Sequence, residues 1–181
     1  MNKTALILGV SGQDGSYLSE FLLNRGYEVI GTSVNPITND FKNLHVLGIA
    51  ADVKIRQLCL SDTKEVLKCF TECAPDEIYN LTGPSSVARS FLHPLEAHES
   101  IYCGTHNCLE ALRALGSSIK YYNACSSECF GNVVSFEADE LTPFQPISPY
   151  AIAKVEAHQL TKYYREKYAL FASSGILFNH E

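Results

Sequence analysis

Short apolar runs alternate with stretches of helical periodicity along the whole chain, and few folds accept that order. "TALILG" (Thr4 to Gly9) is an apolar run ending in glycine, as a strand buried on both faces would. Tyr17, Leu18, Phe21 and Leu22 then mark one face of a helix that stops near Gly26. "YEVIGTSV" and "VKIRQLCL" read as the second and third strands, with a short helix expected between them in "DFKNLHVLGI". Asp62 stands where a helix N-cap should, just before "TKEVLKCFTECA". "EIYNLT" is the fourth strand, a long helix runs from about Pro94 to Leu115, and "IKYYNAC" is the fifth strand. A loop rich in Pro, Glu and Asp, "EADELTPFQPISP", leads to a helix that opens at Pro149 or Tyr150 and runs to about Tyr168. "ASSGILFN" closes as the sixth strand. The reading is an α/β fold: a Rossmann-like, doubly wound parallel sheet with helices on both faces.

Composition narrows what such a domain could serve. A length of 181 residues suits one domain with a real core, and no internal repeat or low-complexity tract divides it. Fourteen basic residues against twenty acidic give a net charge of -6, which argues against a large nucleic-acid or anionic-membrane surface. No apolar run is long enough to span a bilayer, and the start, "MNKTALILGVSGQDG", leads into glycines rather than a cleavage site. A cytoplasmic protein is the expectation. The seven cysteines are odd in number and none has C-x-x-C spacing, which favours neither a disulfide framework nor a zinc site. Most should be small buried residues in a reducing compartment, with Cys69 and Cys73 packed on one helix face.

"GVSGQDG" places Gly9, Gly12 and Gly15 between the first strand and first helix. Glycines at that junction let the backbone turn tightly and approach a pyrophosphate seated on the helix N-terminus. A plain tight turn would also explain three glycines, but the position is the one a dinucleotide site requires. At the end of the second strand, an acid would hold the ribose 2′-hydroxyl of NAD, and an arginine the 2′-phosphate of NADP. Ser33, Val34, Asn35 and Pro36 give neither signal, so the choice between the two stays open.

"SPYAIAK" sets Tyr150 four residues before Lys154, on one helix face. Spacing alone proves little, because Tyr163 and Lys167 repeat it. Two features single out the first pair. Pro149 puts Tyr150 at a helix start, near the strand ends where such folds bind ligands. "ACSSECFG" adds Ser126, Ser127 and Glu128 at the same edge, just past the fifth strand. A tyrosine with an ordinary pKa of about 10 is drawn toward phenolate by a lysine ammonium and by an oxidised nicotinamide. Such a tyrosine can take a proton from a sugar hydroxyl while hydride leaves the same carbon.

Together "GVSGQDG", "NLTGPSSV", "CSSECFG" and "SPYAIAK", in that order, resemble the extended short-chain dehydrogenase/reductase family. Within it, "GQDGSYLSEFLLNRGYEV", "SSECFG", "SPYAIAKVEA" and "GILFNHE" are most similar to the dehydratases that act on GDP-mannose. The resemblance implies an internal redox reaction on NADP (NAD not excluded), turning GDP-mannose into GDP-4-dehydro-6-deoxymannose. By it, Tyr150 deprotonates the 4-hydroxyl, Glu128 removes the C5 proton and helps water leave C6, Ser126 bonds the oxygen, and Lys154 holds the nicotinamide ribose. It also implies cofactor contacts at Gly9, Ser11, Gly12, Gln13, Asp14, Gly15, Asn35, Cys59, Leu60, Leu81, Thr82, Gly83, Ser85, Tyr150, Lys154 and His180. Substrate contacts would fall at Ser85, Ser126, Asn179 and Glu181, and the full-length form would be a homo-oligomer.

The largest departure from the pattern is length, and the others are local. Ser126 stands for a threonine, Cys59 for the carboxylate that holds adenine, and Val34 and Asn35 for arginines. Thr82 and Pro84 replace a small residue and a glutamine. The resemblance also implies a substrate-binding domain beyond Glu181, so this chain alone is expected to be inactive on GDP-mannose. A related sugar-nucleotide reductase or epimerase and a non-catalytic dinucleotide-binding module are the competing readings.

Overall fold

A computed structural model describes residues 2–83, 86–116, 118–132 and 137–180. Six parallel strands form one sheet in the order β3-β2-β1-β4-β5-β6. They are β1 (Thr4–Leu8), β2 (Glu28–Ser33), β3 (Lys54–Gln57), β4 (Glu77–Asn80), β5 (Lys120–Ser126) and β6 (Ala172–Leu177). The helices are α1 (Gln13–Leu23), α2 (Lys42–Val46), α3 (Thr63–Cys73), α4 (Val87–Leu92), α5 (Pro94–His98), α6 (Gly104–Leu115) and α7 (Pro149–Tyr168). The expected doubly wound architecture is thus present, with the strand order reversing at β1/β4, where such sheets open a crevice.

The alternation within β1 divides the core. Leu6 and Leu8 point to a cluster with Val66 and Phe70 of α3, Leu109 and Leu112 of α6, and Tyr121 of β5. Ala5 and Ile7 point the other way, toward Leu22 of α1, Leu44 of α2 and Val29 of β2. Successive side chains of a strand face opposite sides, so a continuous apolar run is what two-sided burial demands. All four of these β1 side chains are fully buried.

Three local readings hold and two change. Asp62 caps α3, its carboxylate accepting the Lys64 and Glu65 amides at 2.8 and 3.2 Å. Pro94 to Leu115 is one continuous helical rod, α5 passing into α6 through a π-helical turn at Glu99–Cys103. The thiols of Cys69 and Cys73 lie 3.9 Å apart on α3. The expected apolar face of α1 is corrected: Tyr17 and Phe21 are half exposed, and the helix packs through Gly15, Ser16, Ser19 and Leu22. A Cβ at Gly15 would lie 2.5 Å from the Gly9 carbonyl oxygen, so α1 sits too close to the turn for large side chains there. Phe21 instead carries the Arg25 guanidinium 3.4 Å above its ring. Helix α4, absent from the sequence reading, begins at Ser86, whose hydroxyl accepts the Arg89 amide. Among the described residues no helix is long and apolar enough to cross a membrane.

Candidate active site

All six strands are parallel, so the chain passes into its helices at the carboxyl edge of the sheet, and the site is built there. Gly9 adopts a φ of +86°, which lets the chain turn off β1. The Gly12 amide donates to the Gly9 carbonyl at 3.2 Å, and Gly12 then opens α1. Side chains cap α3, α4 and α7; α1, like α2, α5 and α6, has no side-chain cap, so its first-turn amides keep no side-chain acceptor. A Cβ added at Gly12 would meet only the Gly9 carbonyl, at 3.5 Å; its other side is open. The Asn43 side-chain amide donates to the Ser11 carbonyl at 3.0 Å and pins the turn from α2.

Above this turn lies a cleft of about 790 Å³, large enough for a dinucleotide. Of the residues singled out from sequence, Gly9, Ser11, Gly12, Asn35, Cys59, Leu60, Leu81, Thr82 and Gly83 line it together. Gln13, Asp14 and Gly15 form the first turn of α1 beneath it. His180 reaches back across the chain, its Nε2 2.9 Å from Asp14 Oδ1. The Phe178 carbonyl and then Asp14 raise the His180 pKa. Asn179 is exposed beside it. Ser85 and Glu181 lie outside the described residues.

The proton-transfer candidates gather on the neighbouring stretch of the same edge. Ser148 caps α7, accepting the Ala151 amide at 3.1 Å, and Pro149 follows at the first helical position. The Tyr150 amide then donates to Ser90 Oγ of α4 at 3.2 Å, which fixes the entry of α7. Lys154 is 6% exposed, and its ammonium donates to the Ala124 carbonyl at 2.7 Å. That ammonium lies 5.7 Å from the Tyr150 ring centre and 3.9 Å from where a Cβ would stand on Gly83, so it borders the cleft. Burial lowers the Lys154 pKa. Glu128 sits on a short 3₁₀ turn after β5 (Ser127–Phe130), its amide donating to Ser126 Oγ at 3.3 Å. The Ser126 hydroxyl proton is thereby left to bond another oxygen.

The expectation that Lys154 draws Tyr150 toward phenolate needs correcting for this structure. Burial pushes the Tyr150 phenol above 10; the Ser126 hydroxyl opposes that, and the nearby Glu128 charge adds to it. Lys154 is committed to a carbonyl instead. The structure therefore brings Ser126, Glu128, Tyr150 and Lys154 into one electrostatic neighbourhood.

Some cleft residues escaped the sequence reading. Thr38 and Asn39 follow β2, and Arg89, Glu96, Glu99 and Ser100 come from α4, α5 and the π turn. Ser86, a good N-cap before "VARSFL", was the signal that could have revealed α4 and with it Arg89 and Ser90.

A family model described as GDP-mannose 4,6 dehydratase matches residues 6–181. A GDP-mannose 4,6-dehydratase of Vibrio cholerae is 42% identical over 188 residues, covering 99% of this chain and 50% of that protein. GDP-mannose 4,6 dehydratase 2 of Arabidopsis thaliana is 43% identical over 193 residues, again covering 99% of this chain and 50% of its own. The chain thus spans about half the length of these relatives. Among solved structures, a Thermus thermophilus UDP-glucose 4-epimerase in complex with NAD superposes with a TM-score of 0.79 at 29% identity, over 92% of this chain and 52% of that one.

Proposed function

The chain belongs to the GDP-mannose 4,6 dehydratase family, and on that premise we propose that it carries the dinucleotide site and proton-transfer groups of an enzyme that dehydrates GDP-mannose. The observation that carries this reading is Glu128, held on its turn by the Ser126 hydroxyl at the end of β5, the sheet edge at which Tyr150 opens α7. A simple alcohol dehydrogenase needs a tyrosine, a lysine and a hydroxyl; only an elimination needs a further carboxylate.

The uncapped turn and the open side of Gly12 fit a pyrophosphate, and the cleft fits the rest of a nicotinamide dinucleotide. Bound there, the nicotinamide ring would accept a hydride from sugar C4 and give it back at C6. Lys154, at Gly83, is placed to hold the nicotinamide ribose. With the positive charge of a bound oxidised nicotinamide favouring its phenolate, Tyr150 would take the proton of the 4-hydroxyl, and Ser126 would donate to the oxygen as it becomes a carbonyl. That carbonyl acidifies C5–H, Glu128 removes the proton, and the C6 hydroxyl leaves as water. The chain spans about half the length of these relatives, and for an enzyme of their full length we propose the cytoplasm and a homo-oligomer.

The test uses a full-length dehydratase carrying these residues. Tyr150→Phe should lower both cofactor reduction and product formation on the order of 100-fold or more. Glu128→Gln should still oxidise C4 in a single turnover, seen as reduced-nicotinamide absorbance, while solvent-deuterium exchange at C5 and dehydration stall. Dehydration by Glu128→Gln at the parental rate would remove the base from this mechanism.

A further inference from the structure

We infer that this cleft selects NAD over NADP through a neutral ribose wall formed by Ser33, Asn35 and Asn39. The inference rests on the dinucleotide reading above and deepens it. In a doubly wound fold the adenosine ribose lies at the end of the second strand, and the groups there decide whether a 2′-hydroxyl or a 2′-phosphate is held.

The wall at the carboxyl end of β2 is made of Thr32 and Ser33 of the strand and Val34, Asn35, Thr38 and Asn39 after it, none of them charged. It is also braced. The Asn39 side-chain amide donates to Ser33 Oγ at 3.2 Å, and the Asn39 backbone amide donates to the Asn35 carbonyl at 3.2 Å. Asn39 Oδ1 accepts the Phe41 amide at 3.0 Å, and the Gln57 side chain donates to the Val34 carbonyl at 3.1 Å. Because Ser33 Oγ already accepts from Asn39, its proton is free for a ribose hydroxyl oxygen. One hydroxyl and one carboxamide suit a 2′,3′-diol. They do not neutralise a group carrying up to two negative charges.

No cation elsewhere in the cleft makes up the deficit. Among the described residues that line it, Arg89 is the sole cation, and it belongs to α4 after β4, across β1 from the β2 wall. Its guanidinium is paired with Glu96 at 2.8 Å. Glu99 lines the same cleft beside that pair, and Lys154, which borders the cleft at Gly83, is bonded to the Ala124 carbonyl of β5, away from the β2 wall. Nor does the adenine side help. Cys59, next along that rim, has its thiol 3.0 Å from the Ser61 hydroxyl, a neutral pair.

The experiment is a fluorescence titration of the 181-residue chain with NADH and with NADPH at one fixed ionic strength, alongside Asn35→Arg and Arg89→Gln. The parent should bind NADH at least about tenfold more tightly than NADPH. Asn35→Arg should move that ratio about tenfold toward NADPH by supplying the missing cation. Arg89→Gln should not move the ratio toward NADH. NADPH binding as tight as NADH or tighter would overturn the selectivity while leaving the dinucleotide site intact. A selective loss of NADPH in Arg89→Gln would show that Arg89 crosses the cleft to the phosphate, and would overturn the neutral-wall argument. Saturable binding of neither dinucleotide by folded protein would overturn this inference and the cofactor reading together.

Discussion

Gly12 and Gly15 lie three residues apart in one turn, yet the structure gives them separate duties that two substitutions can separate. At Gly15 a Cβ would fall 2.5 Å from the Gly9 carbonyl oxygen and 2.8 Å from Val10 Cα. Both are backbone atoms, so no side chain can rotate away, and α1 must move off the sheet. Overpacking of this kind costs about 1–3 kcal/mol. Alanine recovers up to about 1 kcal/mol in helix propensity over glycine. Gly15→Ala should therefore lose about 1–2 kcal/mol, which is about 2–8 °C in Tm for a domain of this size. Gly12 has φ -69° and ψ 170°, extended backbone that valine adopts freely, and its Cβ would meet one atom at 3.5 Å. Gly12→Val should stay within about 3 °C of the parent, yet put two methyls where the pyrophosphate approaches. Differential scanning fluorimetry and NADH titration of both proteins provide the measurement. A Gly15→Ala variant that melts with the parent, or a Gly12→Val variant that binds NADH as the parent does, would refute the assignment of packing to one glycine and ligand approach to the other.

Two further outcomes are expected. The Arg113 guanidinium and then the Tyr164 hydroxyl hold Glu110 down at about 2. A depressed carboxylate stabilises the fold above its unfolded pKa and loses that contribution as pH falls toward the folded value. With Glu110 26% exposed, screening leaves about 1 kcal/mol, so Glu110→Gln should cost that much at pH 7 and much less near pH 3 in denaturant titrations. A gap that stays constant with pH would show that the carboxylate's charge is not what stabilises. Separately, the 181-residue chain should form no 4-keto-6-deoxy product from GDP-mannose, because substrate positioning supplies much of such a rate. Product formation by this chain would show that the pocket needs no further domain.

What the sequence disclosed was mostly what is local. The strand–helix alternation, the Asp62 cap and the glycine turn each depend on residues within one turn or one element, and each is present. Tyr17 and Phe21 misled because helical periodicity reports that apolar side chains share a face, not which face meets the sheet. That was decided by Gly15, whose missing Cβ admits α1 so closely that only small residues fit beside it. Helix α4 stayed hidden because six residues are too few to show periodicity. With it went Arg89, the cation of the cleft, and Ser90, which holds the Tyr150 amide from sixty positions away.

Tyr150 and Tyr163 have the same lysine four residues on, and the fold rather than the spacing tells them apart. Helix α7 runs back along the sheet from the end of β5 to the start of β6, so only its first turns lie at the carboxyl edge. Thirteen residues later, roughly 20 Å down the axis, Tyr163 is half exposed and its ring packs edge-on against Tyr164 and Tyr168. Lys167 beside it is solvated. Lys154 by contrast is buried with no carboxylate hydrogen-bonded to it among the described residues, bonded to the Ala124 carbonyl and bordering Gly83. A structural ion pair would bring its own counter-charge into the interior, since an unmatched buried cation costs stability. Lys154, buried on a carbonyl at the border of the cleft, is therefore set for charge that arrives with a ligand, which the Tyr163–Lys167 repeat is not.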